Sequence, residues 1–375
     1  MQAIGGRLES DSSLPPAEAA ATTYYGWILS PGIDLIFSCG GAMWFIWYIV
    51  EKLGVVRDIS TVPGTALWVT WLVGVHFLAN NHAFVGWHRV ATSEYVDPEV
   101  RKRLGWLAAF FAVMLFPVVL IPGWAAVAAK IYVLWLVQHY VAQAYGINMI
   151  YCLKRNYAMT KNEKEIMHWM FRCLIIMVLT QAFAMPQLSS SFLDNKMTLP
   201  AWGPIPIWCY TATVYLFGAS ILLFVGMVIK KYWKQKVLFP LPALLNTVSI
   251  IGIYFVSMTA QEPALGIAMT AFFHGSQNIV IGVACHLKER GLPDDVPPSK
   301  IAKMLMRKYT ILYFIFLCVG GIALFVVLPR ILCLMSVEFS VAAAGVLAMQ
   351  GYHHFITERY VWRLRHPKIR KILVA

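Results

Sequence analysis

Long apolar runs, broken by short polar ones, set the pattern of this chain. A helix needs roughly 20 mostly apolar residues to cross a bilayer. Ten stretches meet that length: about 31–50, 64–86, 104–122, 124–151, 165–186, 207–230, 240–260, 264–286, 309–332 and 336–358. Only Pro122-Gly123 separates the third from the fourth, which predicts a tight helical hairpin. No alternation of apolar and polar residues runs long enough to build a membrane barrel. The pattern predicts an all-α integral membrane protein, a bundle of about ten transmembrane helices within a single polytopic domain over 25–358. Residues 1–24 lack a basic start leading into an apolar core, and read as a disordered tail rather than a cleavable signal. Residues 359–375 read as a basic cytoplasmic tail, and 287–308 as a connection lying along the membrane surface with Ile301, Met304 and Leu305 on one side.

Charge then orients the bundle. Of the 31 lysines and arginines, 25 fall before the first stretch, after even-numbered stretches or in the C-terminal tail. Four (Lys52, Arg57, Lys196 and Arg330) follow odd-numbered stretches, and Lys130 and Arg172 lie inside helices. Basic loops stay in the cytoplasm, so both termini are expected there, in a membrane such as the bacterial inner membrane. Composition agrees with that class. Hydrophobic residues make up 59%, charged residues only 13%, and mean hydropathy is +0.64. Soluble domains carry about a quarter charged residues. The net charge of +13 is accounted for by topology and attraction to anionic lipids, so no nucleic-acid partner is expected. Seven cysteines are scattered singly without a CxxC pair, which argues against a thiolate metal site or a disulfide framework.

The histidines change the picture more. His76, His82 and His88 lie in or just after the second stretch, His139 in the fourth, His274 in the eighth, and His353 and His354 at the end of the tenth. All four stretches are even-numbered and would run from outside to inside, so imidazoles from four helices reach overlapping depths near the inner face. Ionisable residues at such depth are costly and usually functional, although some only cement helices together. Residues three or four apart share a helix face. That spacing pairs His76 with Asn80, His139 with Gln143, His274 with Gln277 and Asn278, and His354 with Glu358. Each pair offers an imidazole and a polar group able to fix its ring, as metal-ligating histidines require. His82, His139, His274, His353 and His354 are therefore expected metal ligands, with Glu358 as carboxylate ligand or catalytic base. Gln143, Gln277 and Asn278 are expected to orient imidazoles. His76, His88 and Asp34, in SPGID of the first stretch, are further ligand candidates. His168 and His366 read as interfacial or solvated, and His286 as lying at the headgroup level.

Neutral imidazoles with a carboxylate and no thiolate suit iron, copper or zinc. In NNHAFVGWH, QHYVAQ, FHGSQN and GYHHFITE the chain resembles the histidine-rich integral-membrane non-haem iron oxygenases: membrane desaturases, hydroxylases and the bacterial carotene-cleaving Brp/Blh family. The HxxxH and HxxHH boxes of desaturases do not occur, so the resemblance implies a class of chemistry and assigns no residue. It implies a mono- or dinuclear iron centre, a lipid-soluble substrate such as an isoprenoid, carotenoid or fatty-acyl chain, and a cytoplasmic electron donor. Two other readings stay open. Histidines on facing helices can ligate haem or a chlorophyll-type tetrapyrrole axially, or form the relay of a proton-coupled carrier.

Overall fold

Polar breaks separate the helices of this protein, and some of them supply side-chain caps. In the computed structural model, which describes residues 26–52, 79–185, 191–192, 197–259, 263–289, 304–362, 364 and 367–374, helices account for nearly all regular structure. A short turn over Pro31–Ile33 and a π-helical turn over Asp34–Ser38 lead into α1 (Gly41–Lys52). Then follow α2 (His82–Thr92), α3 (Pro98–Leu120), α4 (Trp124–Lys154), α5 (Lys161–Ala184) and α6 (Ile207–Gln235). The rest are α7 (Leu241–Thr259), α8 (Pro263–Glu289), α9 (Lys308–Cys333), α10 (Phe339–Val361) and α11 (Pro367–Val374). A π-helical turn over Ala323–Val327 interrupts α9. Ser191–Phe192 pairs antiparallel with Met197–Thr198, the only strand pair among the described residues.

The caps are specific. Asp97 accepts the Glu99 backbone N–H at 2.8 Å ahead of Pro98, which already holds helical φ and lacks the N–H that a first turn would leave unpaired. Thr160 and Glu163 form a reciprocal capping box at the start of α5. Between α3 and α4, Gly123 takes φ 83°, a left-handed conformation that Cβ-bearing residues avoid, and this makes the expected hairpin turn possible.

Five described helices are long and apolar enough to cross a membrane: α3, α4, α5, α6 and α9. Their outward faces carry large apolar side chains in the open, with Tyr215 at 75% and Leu222 at 74% exposure on α6 and Trp106 and Val113 exposed on α3. Water would not tolerate so continuous an apolar surface, whereas lipid tails cover it at no cost. The chain thus has the build of a multi-pass α-helical membrane protein. Nine of the ten expected stretches correspond to described helices. Of the second, only residues from 79 onward are described, and there the helix starts at His82 and runs on to Thr92 instead of ending near 86. Residues 1–25, His76, His366 and most of the connection 287–308 lie outside the described residues.

Inside the bundle, α4 packs on α5, α7 and α10; α8 packs on α2 and α7; α10 packs on α2, α3 and α4. The seam of α4, α7 and α8 is tied by side-chain amides. Asn148 donates to Thr247 at 2.7 Å, Asn246 to Asn148 at 2.6 Å and to the Ala144 carbonyl at 2.9 Å, and Gln277 to Asn246 at 2.7 Å. In a hydrocarbon environment these polar groups have no water to turn to, so the satisfied chain fixes the helices' relative register. Against α2, α8 approaches so closely that a Cβ on Gly282 would stand 2.4 Å from Val85 Cγ1. The C-terminal stretch carries more structure than a basic tail implies. Helix α11 buries Ile369, Ile372 and Leu373 against α8 and α4. Lys288 donates to the Ile372 carbonyl at 2.8 Å and Lys154 to that of Val374 at 3.4 Å. Both cations sit where the last carbonyls of a helix concentrate negative charge.

Candidate metal centre

Three helices bring four side chains to one point. His139 comes from α4, His274 from α8, and His354 and Glu358 from one face of α10. One ligand atom from each lies within 4.8 Å of the other three, and all four residues are buried. The Nε2 atoms of His139 and His274 are 3.2 Å apart. Glu358 Oε2 stands 3.4 Å from His139 Nε2, and Glu358 Oε1 stands 3.6 Å from His354 Nε2.

These spacings suit a shared ion. Two ligand atoms each about 2.1 Å from one metal stand about 3.0 Å apart at a right angle and about 3.4 Å apart at the tetrahedral angle. The hydrogen-bond inventory agrees. His274 Nδ1 and both ring nitrogens of His354 are buried with no hydrogen-bond partner among the described residues. Buried polar atoms are rarely left in that condition, and a cation at the centre would occupy the His354 lone pair and balance the carboxylate.

Neighbours hold the rings in place. Tyr140 stacks on His274 with centroids 4.3 Å apart and planes 29° apart, and Phe355 lies 4.3 Å from the His139 ring. His82 sits at the edge of the cluster, its ring centroid 4.7 Å from those of both His274 and His354. Its Nδ1 is hydrogen-bonded to the Ala79 carbonyl. A carbonyl there requires Nδ1–H, which leaves the lone pair on Nε2, the arrangement a ligating histidine needs. On the side of His82 and His354 lies a cavity of about 150 Å³, lined mainly by apolar residues such as Leu136, Phe272 and Phe355.

Several expected roles are corrected by the geometry. His353 points away from the cluster: it stacks on Trp87 at 4.3 Å and its Nε2 lies 3.3 Å from the Leu104 carbonyl. One residue along a helix turns a side chain by about 100°, so adjacent histidines cannot serve the same point. Asp34 is engaged elsewhere. Its carboxylate accepts from the Ile28 and Leu29 backbone N–H groups at 2.6 and 3.0 Å and from Tyr151 at 3.0 Å, closing the loop before the first helical turn. His88 lies in a different cavity with His286, which is buried and stacks on Tyr313 with ring centroids 4.1 Å apart. Gln143 donates to the His274 carbonyl at 2.9 Å and to Gln277 at 3.2 Å, and Gln277 to the Ser38 carbonyl at 3.0 Å, so both join helices rather than orient imidazoles. Asn278 does act at the centre, through the carboxylate: its Nδ2 donates to Glu358 Oε1. His76 lies outside the described residues.

The sequence pattern did not single out Asn246 or Asn148. Asn246 is an amide in the middle of an apolar helix, and that alone could have marked it.

No protein-family model, curated protein or solved structure matches this chain.

Proposed function

We propose that His139, His274, His354 and Glu358 hold a transition-metal ion, with His82 placed to join them, and that the chain oxidises, desaturates or cleaves a lipid-soluble substrate. The observation that carries the reading is the convergence of four buried ligand atoms within 4.8 Å beside a largely apolar cavity. Three imidazoles and a carboxylate without thiolates suit iron, copper or zinc. Zinc has no redox chemistry, whereas oxidation, desaturation or oxidative cleavage needs a redox metal; of iron and copper, the resemblance to the non-haem iron oxygenases favours iron. When bound, iron would supply one-electron redox chemistry. The protein's own part is to fix the carboxylate through Asn278, to set the His82 tautomer through Ala79, and to keep bulk water from the buried site. Glu358 serves as ligand or base, and the cavity takes the reacting segment of the substrate. The 25-to-4 asymmetry of basic residues supports a cytoplasmic placement of both termini, in a membrane of the bacterial inner type, with electrons supplied from that side.

Metal analysis and an ultraviolet-visible spectrum of the purified protein test the reading. Stoichiometric iron without a Soret band supports it. A Soret band selects the tetrapyrrole, and folded, active protein without metal selects the proton relay.

A further inference from the structure

Helices α2, α8 and α10 extend beyond the metal centre toward the end of the bundle where α11 docks, and there they enclose a second cavity of about 210 Å³. The close contact of Val85 with Gly282 stands between the two sites on α2 and α8, and Trp362, one turn past Glu358, lines the far side. The lining is polar: Arg89, His88, Thr92, His286 and Glu289 face it, with exposed Glu94 nearby.

Arg89 is the unusual group. Its side chain is 4% exposed, lies 4.7 Å over the Trp362 ring, and pairs with Glu289 through Nη2 at 2.7 Å. Glu289 offsets its charge. Nε and Nη1 are buried without a nitrogen or oxygen hydrogen-bond partner among the described residues, and the Cys285 thiol lies beside the guanidinium. A guanidinium presents its N–H groups as a planar fork whose geometry matches the paired oxygens of a carboxylate or phosphate. The imidazoles of His88 and His286 and the Thr92 hydroxyl extend the polar wall around that fork.

We infer that this cavity binds a small oxyanion, a phosphate or carboxylate group, on the free edge of Arg89. The inference does not depend on the metal centre. The group could arrive free in solution or as the headgroup of an anionic lipid, and the same recognition serves both.

Cys285 lines the cavity and is 2% exposed, so a thiol reagent reaches it through the site a ligand would fill. The test is the rate of Cys285 alkylation by N-ethylmaleimide, followed by peptide mass spectrometry. Full-length protein is compared in uncharged detergent with inorganic phosphate, acetate or chloride at equal ionic strength, and in nanodiscs of phosphatidylcholine with or without phosphatidic acid. Protection by phosphate or acetate of about fivefold or more over chloride supports a free oxyanion. Protection by phosphatidic acid alone supports a headgroup. In either case the protection should vanish in the charge-balanced double variant Arg89→Gln with Glu289→Gln. No protection in any arm, equal protection by chloride, or protection that persists in the folded double variant overturns the inference and leaves a hydrated cavity. Should the double variant not fold, the anion series on the unaltered protein decides. Should Cys285 prove unreactive without ligand, calorimetric titration with phosphate against chloride replaces the readout, with the same outcomes.

Discussion

The Nε2 atoms of His139 and His274 stand 3.2 Å apart, although 135 positions separate the two residues in the chain. Two neutral imidazoles can meet nitrogen to nitrogen through one shared proton or through one shared cation. A hydrogen bond would satisfy that pair alone. Glu358 Oε2, 3.4 Å from His139, and His354, 3.6 Å from the same carboxylate, surround the same point, and a cation held there would meet all four.

The ligand histidines should separate from the others by metal content. His139→Ala and His274→Ala should each lower bound metal at least about tenfold, the scale of damage to a ligand shell. His168→Ala should leave it unchanged, since His168 lies 4.0 Å from Glu165 at a half-exposed position away from the centre. His353→Ala should also keep its metal. Elemental analysis on equal amounts of monodisperse protein makes the comparison, and full metal in both of the first two variants would reduce the cluster to a helix-joining contact.

Glu358 and Asn278 should differ in degree. Glu358→Gln keeps the size of the side chain and removes the charge and the second lone-pair-bearing oxygen, so metal affinity should fall by about tenfold or more. Asn278→Ala frees the carboxylate without removing it and should weaken binding by about tenfold at most, at the low end for partners that orient a ligand. Competition with a chelator measures both. A larger loss in Asn278→Ala than in Glu358→Gln would contradict the assigned roles.

Removing the amide at Asn246 should loosen the bundle and spare the centre. Asn246→Ala takes away partners of Asn148, Gln277 and the Ala144 carbonyl, all in the interior. A buried polar group left unpaired costs about 1–3 kcal/mol. The apparent melting temperature in detergent should drop, while metal affinity in the folded fraction stays within about threefold. Unchanged melting would show that the network contributes no register.

Both termini should be shielded from protease added outside sealed cells, because the basic residues favour the cytoplasmic side there. Cleavage of a C-terminal tag in sealed cells would make the number of crossings odd.

Much of this was legible because spacing on one helix is a local property. His354 and Glu358, four apart, had to share a face, and they do. The same rule turns His353 away from that face, although it was counted among the expected ligands. His139 and His274 could be matched by depth, since both lie in long apolar helices of the same expected direction. What one helix cannot reveal is the rotation of its neighbours. Gln143 and Asn278 are equally polar and equally spaced from a histidine, yet one reaches a backbone carbonyl on α8 and the other the carboxylate on α10. Asp34 was misread because its partners are backbone N–H groups five and six residues back, which no side-chain pattern announces. The Arg89 cavity was hidden for a related reason. Arg89 and Glu289 each look like an ordinary loop-proximal charge until α2 and α8 are laid side by side.

X-ray absorption at the iron edge of purified, catalytically untreated protein tests the central claim most directly. The account predicts about one iron per chain with nitrogen and oxygen neighbours at about 2.0–2.2 Å, an imidazole scattering pattern and no sulfur. The signal should be lost in folded His139→Ala. Folded protein that binds no transition metal even after reconstitution, or a sulfur or porphyrin shell around the iron, would contradict it.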